Sequence, residues 1–288
     1  MRYKVWIKIL CFCLVFRGVE RFCHQKTEGF KVSNVISDLS YDPRREVSPL
    51  AESEMREVSE ILSQPFTFLG SGGQAYAFLS ADGKSVLKLF KYHHLSTFPY
   101  LKRGPFSSFA KQREEKRERF FESCRISFEE MREETGLLYL QLNKSTHWNR
   151  KITLIDKLGI AHTLELDQLE FALQKRASLA LSSLKSLVKK GKREEAKQTI
   201  SSMISLLAAR CQKGVGDSDS GLRRNMGLLD THAISIDIGS FSKNPDLLLR
   251  ANMEKEVKEK SLRLARWLKK SDPELSNYYD ETVQKITQ

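Results

Sequence analysis

Four separated stretches of this chain carry residue types that could handle a phosphate chain. The first is a glycine-rich turn, Gly70-Ser71-Gly72-Gly73-Gln74, between two strand-like segments. Where no side chain stands in the way, backbone N–H groups can close on phosphate oxygens. No Gly-Lys-Ser/Thr follows, so the turn is not a P-loop. The second is Lys88, in the apolar strand Val86-Leu87-Lys88-Leu89-Phe90. An amine turned inward there is costly unless paired, so a phosphate and a carboxylate are its expected partners. The third is an acidic loop running from Asp217 and Asp219 to Asn225, and the fourth is the strand end Ile236-Asp237-Ile238-Gly239. An aspartate closing an apolar strand just ahead of Ile-Gly points to function rather than decoration.

The elements that must position these residues follow from periodicity. Phe66 to Leu69 leads into the glycine turn, Ala75 to Leu79 leaves it, and Ser85 to Lys91 completes a three-stranded sheet after a tight turn at 81–84. A loop with Pro99 and Pro105 precedes a helical region expected over about 109–142, where Phe121, Cys124, Phe128, Met131, Thr135, Leu138 and Leu142 recur at helical spacing. Lys151 to Asp156 and Ile160 to Leu166 read as a hairpin turning at 157–159, and Leu169 to Gln174 as a further strand. Helices are expected over 178–190, 194–211, 251–270 and 273–286, and a short one over 51–63. A strand-rich half thus precedes a helix-rich half, an α+β arrangement with segregated parts and a crevice between them.

The order glycine-rich loop, strand lysine, helix with glutamate, acidic loop with asparagine, then Asp-x-Gly resembles the protein-kinase-like fold over roughly Phe66 to Phe241. The resemblance implies two lobes: a small antiparallel-sheet lobe with one long helix over 64–176, and a compact helical lobe over 177–288. It implies ATP and Mg²⁺ as cofactors. Gly70, Ser71, Gly72, Gly73 and Gln74 would cover the phosphates, and Lys88 would hold them while pairing with a helix glutamate. Glu134 is the choice for that partner, with Glu130 and Glu133 as alternatives. Asn225 and Asp237 would be the metal ligands, hard oxygen donors of the kind that suit Mg²⁺. The family's base lies five residues before the asparagine, which here is Ser220. Asp219 and Asp217 are the two candidates, and Arg223 and Arg224 stand where a cation could screen the transferred phosphate. Ala75 replaces the third glycine of the loop, Ile238 the usual phenylalanine, and no Ala-Pro-Glu follows. An atypical kinase-like phosphotransferase acting on a protein or small-molecule acceptor is expected. A pseudokinase, binding nucleotide or a protein partner without catalysis, is the alternative.

The 288 residues carry a net charge of +12, with 40% hydrophobic and 29% charged residues. That is the composition of a globular chain. The basic residues alternate with glutamate in helical stretches, and no nucleic-acid-reading signature accompanies them. His93-His94 is an adjacent pair without a third ligand at metal-binding spacing. The five cysteines form no disulfide framework. Residues 1–23 open with positive charge and an apolar run over Val5 to Phe16, as a signal peptide or membrane anchor does. Export or membrane association through this segment is expected, with a cytoplasmic location otherwise. Residues 24–63 read as a linker ending in the short helix.

Overall fold

The computed structural model describes residues 2–95, 107–219 and 221–287; the expected loop with Pro99 and Pro105, and Ser220, lie outside them. In chain order the elements are α1 (Arg2–Thr27), α2 (Glu52–Leu62), β1 (Phe66–Ser71), β2 (Ala75–Ser80), β3 (Ser85–Phe90), α3 (Tyr92–Leu95), α4 (Ser107–Glu129) and α5 (Arg132–Thr135). Then come β4 (Leu137–Gln141), β5 (Lys151–Ile155), β6 (Ala161–Glu165), β7 (Phe171–Lys175), β8 (Ser178–Leu179), α6 (Ala180–Lys189) and α7 (Arg193–Gln212). The chain closes with β9 (Val215–Asp217), α8 (Leu222–Asn225), β10 (Met226–Leu229), β11 (His232–Ser235), β12 (Phe241–Lys243), α9 (Arg250–Ser271) and α10 (Pro273–Thr287). The architecture is α+β.

Seven strands make one curled sheet in the order β4-β7-β3-β2-β1-β5-β6. It is mixed rather than antiparallel throughout, because β5 runs parallel to β1 with Phe66 opposite Leu154. Alternation along β3 sorts its side chains onto two faces. Leu87 and Leu89 join Phe66, Tyr76, Phe78, Leu154 and Phe171 under α2, whose Val58 and Leu62 are buried there. Phe90 faces the other way, onto Phe120, Phe121, Cys124 and Phe128 of α4. Lys88, two residues earlier and so on the same face as Phe90, therefore points toward α4 and the second half of the chain.

The helix expected over 109–142 is broken in two and followed by a strand. Gly136, at φ +63°, caps α5 in the left-handed conformation, which a residue with a Cβ adopts only at a cost. The chain then turns directly into β4, whose Tyr139 and Leu140 pair with Leu173 and Ala172. Leu138 and Leu142 fitted helical spacing, but the run Leu137-Leu-Tyr-Leu140 satisfies a buried strand equally well, and sheet pairing decides it.

The second half has its own apolar core, built from Leu184, Ile200, Met203, Ile204, Leu264, Leu268, Leu275 and Val283 on α6, α7, α9 and α10. Two small sheets, β11-β10-β8 and β12-β9, lie beside it. At the N-terminus, α1 continues to Thr27, four residues beyond the expected signal-like segment and into the expected linker. No helix of the described residues is long and apolar enough to cross a membrane.

Candidate functional site

The ends of β1 and β2, the middle of β3, the loop before β10 and the segment after β11 converge on one cavity of about 350 Å³. Gly72, Gly73, Gln74, Lys88, Asp219, Arg224, Asn225 and Asp237 line it, with Ala77, Phe90 and Phe120 as apolar walls. That volume lies at the lower end of the range for small-molecule sites.

Only the tip of the glycine turn faces this space. Gly70 and Ser71 belong to β1, paired with Ala77 and Tyr76, and Ser71 faces a different cavity at the foot of α1. The Gly72 amide is spent on the Ala75 carbonyl at 2.9 Å. The amides of Gly73 and Gln74 make no hydrogen bond among the described residues, so they are the donors available to an anion. Lys91, unforeseen from the sequence, fixes the turn from behind. Its ammonium reaches Ser71 Oγ at 2.7 Å and the Gly72 carbonyl, and lies 4.4 Å from the centre of the Tyr76 ring.

The expected pairing of Lys88 with a helix glutamate does not form. Glu134 makes an ion pair with Lys213, and Glu130 makes one with Lys243. Glu133 is exposed. All three sit at the end of α4 or on α5, past the part of the helix that faces β3. The residue α4 does bring toward Lys88 is Cys124, fully buried beside it and Asp237. Lys88 instead donates to the carbonyl of Ile236. Burial lowers its pKa to about 8, with the charge of Asp237 acting in the opposite direction. Burial also pushes the Cys124 thiol well above its usual range. Glu134→Gln should accordingly leave nucleotide binding unchanged and cost no more than about 1 kcal/mol, the loss of one partly exposed pair. Parallel nucleotide titration and urea unfolding of the variant would check this, and a collapse of binding would return Glu134 to the site.

The two aspartates of the acidic loop have different surroundings. Asp217, at the end of β9, has both oxygens engaged. Oδ1 accepts from Ser240 Oγ at 2.7 Å and from the Asp219 amide at 2.9 Å, and Oδ2 pairs with Arg210 at 3.1 Å. Arg210 is itself buried and bridges to Glu256 of α9 at 2.9 Å. Burial raises the Asp217 pKa, with Ser240 and Arg210 opposing that rise. Asp219 is exposed, its Oδ1 accepts from the Gly221 amide at 2.8 Å, and it lines the cavity. Asn225, at the end of α8, carries a buried side-chain NH₂ with no partner among the described residues. Asp237 Oδ1 accepts from the Gly239 amide at 3.0 Å. Arg224 reaches the cavity wall, whereas Arg223 is exposed and does not line it.

Among the described residues no three His, Cys, Asp or Glu side chains cluster as a metal site. The donors gathered here are two carboxylates and an amide. They fit Mg²⁺, which takes one or two carboxylates and completes its octahedron with phosphate oxygens and water. The Asn225 NH₂, without a partner among the described residues, is a donor that suits a phosphate oxygen, and it is the carbonyl oxygen of the same amide that would serve as the metal ligand.

A second feature unforeseen from the sequence holds Asp237 in place. Ser123 Oγ of α4 donates to the Ile238 carbonyl at 2.7 Å and accepts from the Phe241 amide at 2.7 Å, while Ser127 Oγ adds a contact to Ile238 at 3.2 Å. On the other side Gln74 Nε2 approaches the Gly239 carbonyl at 3.4 Å, and its side chain fills the space that a Cβ at Gly239 would need. Helical serines facing a core are easily read as small apolar-face residues, so nothing in the sequence singled them out. Ser123→Ala strands the Phe241 amide, and a loss of about 1–3 kcal/mol is expected. Faster hydrogen exchange at Phe241 and a higher Mg²⁺ requirement should accompany it. Unchanged exchange would show that the hydroxyl does not hold this segment.

No known protein family matches the chain, and no curated protein matches its sequence. Among solved structures, the streptomycin–ATP–APH(2")-IIa ternary complex is similar at 12% identity, over 83% of this chain and 87% of that one, with a TM-score of 0.22. At that level the similarity carries no weight for the chemistry.

Proposed function

We propose that the chain is an atypical, two-lobed kinase-like phosphotransferase that uses ATP and Mg²⁺. On this reading residues 64–176 form the nucleotide lobe and 177–288 the helical lobe. The observation that carries it is the convergence of Gly73, Lys88, Asp219, Asn225 and Asp237, drawn from four distant stretches, on one cavity. The Gly73 and Gln74 amides and the Lys88 ammonium bind phosphate oxygens. Asn225 and Asp237 hold Mg²⁺, which supplies charge neutralisation on the phosphates when bound. Asp219 orients the acceptor hydroxyl and takes its proton as the acceptor oxygen bonds to phosphorus and the bond to the leaving diphosphate breaks. Asp217, with both oxygens engaged, anchors the loop that carries Asp219. The acceptor is a hydroxyl on a protein or a small molecule.

A second reading, a pseudokinase, draws on one observation: Lys88 faces Cys124 rather than a helix carboxylate. One experiment separates the two. Thermal-shift titration with ATP, with and without Mg²⁺, reads binding, and ATP turnover reads chemistry. Asp219→Asn is expected to keep the Mg²⁺-dependent shift and to lower turnover by about 10²-fold or more, as loss of a catalytic base does. A shift without turnover in the unaltered protein would favour the pseudokinase. No shift in the folded protein would sink both readings.

A further inference from the structure

More than half of the exposed large apolar side chains described belong to the helix α1. Trp6, Leu10, Phe12, Leu14, Val15 and Phe16 are each 60–70% exposed. Soluble surfaces seldom leave so many large apolar side chains together in water. In an α-helix residues advance by about 100° each, so Trp6 and Leu10 share one side while Phe12 and Val15 point to the opposite one. The apolar surface therefore surrounds the helix, whereas a protein groove would cover only one face. A fluid layer into which the helix sinks to its flanks fits it better.

Charge and length say which medium. Arg2, Lys4, Lys8, Arg17, Arg21 and Lys26 stand against the single acid Glu20 within α1. The run from Val5 to Phe16 is about 18 Å long at 1.5 Å per residue, against a hydrocarbon core of about 30 Å. Basic residues bracket the run at both ends, so upright insertion would bury one set of charges at mid-bilayer. Lying along the interface, the helix keeps its apolar side chains among the acyl chains while its lysines and arginines extend to the headgroups. The opposite charge of anionic headgroups then adds to the attraction.

We propose that α1 is an interfacial anchor that lies in one leaflet of an anionic lipid bilayer. The foot of the helix is fixed to the sheet. The carbonyl of Gly29, just past its end, accepts from Tyr76 of β2 at 2.6 Å and from Asn34 at 3.0 Å. Tyr76 follows Gln74 by two residues, so the anchor holds the glycine turn close to the lipid surface.

The test is flotation of the full chain with phosphatidylcholine vesicles, with and without phosphatidylglycerol. Flotation is expected with the anionic vesicles, at least about tenfold weaker without phosphatidylglycerol and falling as salt is added. Trp6 emission should shift to the blue on binding, a shift absent from Trp6→Phe. A Leu10→Glu/Phe16→Glu double variant should lose flotation at least about tenfold while keeping its unfolding transition, because both side chains are solvent-exposed. Three outcomes would overturn the proposal. One is no flotation of the folded chain, or flotation that the double variant retains. Another is self-association that the double variant removes without any vesicle binding. The third is an N-terminal tag sealed from protease added outside the vesicles, which would mean the helix crosses the bilayer.

Discussion

Asp237→Asn is expected to abolish phosphoryl transfer while leaving the protein folded. The substitution keeps an oxygen for the Gly239 amide, which Asp237 accepts at 3.0 Å, so stability should stay within about 1 kcal/mol. It removes the charge that a divalent cation needs and the charge that favours the protonated form of Lys88. A metal contribution of several kcal/mol to the transition state corresponds to a rate loss on the order of 10³-fold. Mg²⁺ titration of ATP turnover, with urea unfolding as a control, would measure both quantities. Turnover at the level of the unaltered protein would remove Asp237 from the proposed site.

Lys88→Met should move activity and stability in opposite directions. The amine sits in a site whose burial drops its pKa from 10.5 to about 8, so its charge opposes folding at neutral pH. Methionine has similar length, no charge to desolvate and a flexible stem that packs against Phe90 and Phe120. The variant should unfold at higher urea, by an increment of at most about 3 kcal/mol, since the fall from 10.5 to about 8, at about 1.4 kcal/mol per pH unit, sets the ceiling. The Ile236 carbonyl loses its donor, which takes back part of that gain. Nucleotide-dependent stabilisation and turnover should both disappear. A variant that is destabilised and still binds ATP would mean that Lys88 serves the fold and not the phosphates. Functional sites commonly hold groups that the fold alone would not choose.

The local pattern of the chain carried much of this structure. The strands around the glycine turn, the 151–166 hairpin and the helices α6, α7, α9 and α10 stand within a residue or two of where periodicity puts them. Long-range pairing was not legible. Nothing local says that β5 runs parallel beside β1, or that Leu137 to Gln141 leaves a helical stripe to become an inner-sheet strand. The cavity tells the same story at finer grain. Lys88, Asp219, Asn225 and Asp237 could be proposed for a single site because order and spacing are properties of sequence. Glu134 does not meet Lys88 because helical phase was extrapolated through residues 130–131, where α4 had already ended and α5 begins. Cys124 was legible only as one position of an apolar helical stripe, and Ser123 and Lys91 have no spacing signature; what they do depends on which carbonyl or amine the fold brings opposite them.

The bonds from Ser123 to Ile238 and Phe241 join residues 115 and 118 positions apart. During synthesis at about 5–20 residues per second, α4 would wait on the order of 6–24 s for that partner to emerge. Throughout that interval the Ser123 hydroxyl and the Ile126 side chain would lack the partners that Ile238 and Phe241 supply, although the sheet behind them could be complete once Lys175 has emerged. The nascent chain thus passes through a stage with a finished sheet and an open apolar helix face. That stage is where binding by a chaperone, or aggregation with a neighbouring chain, would compete with folding. Slowing translation between residues 130 and 240 should lengthen this vulnerable period without altering the finished protein.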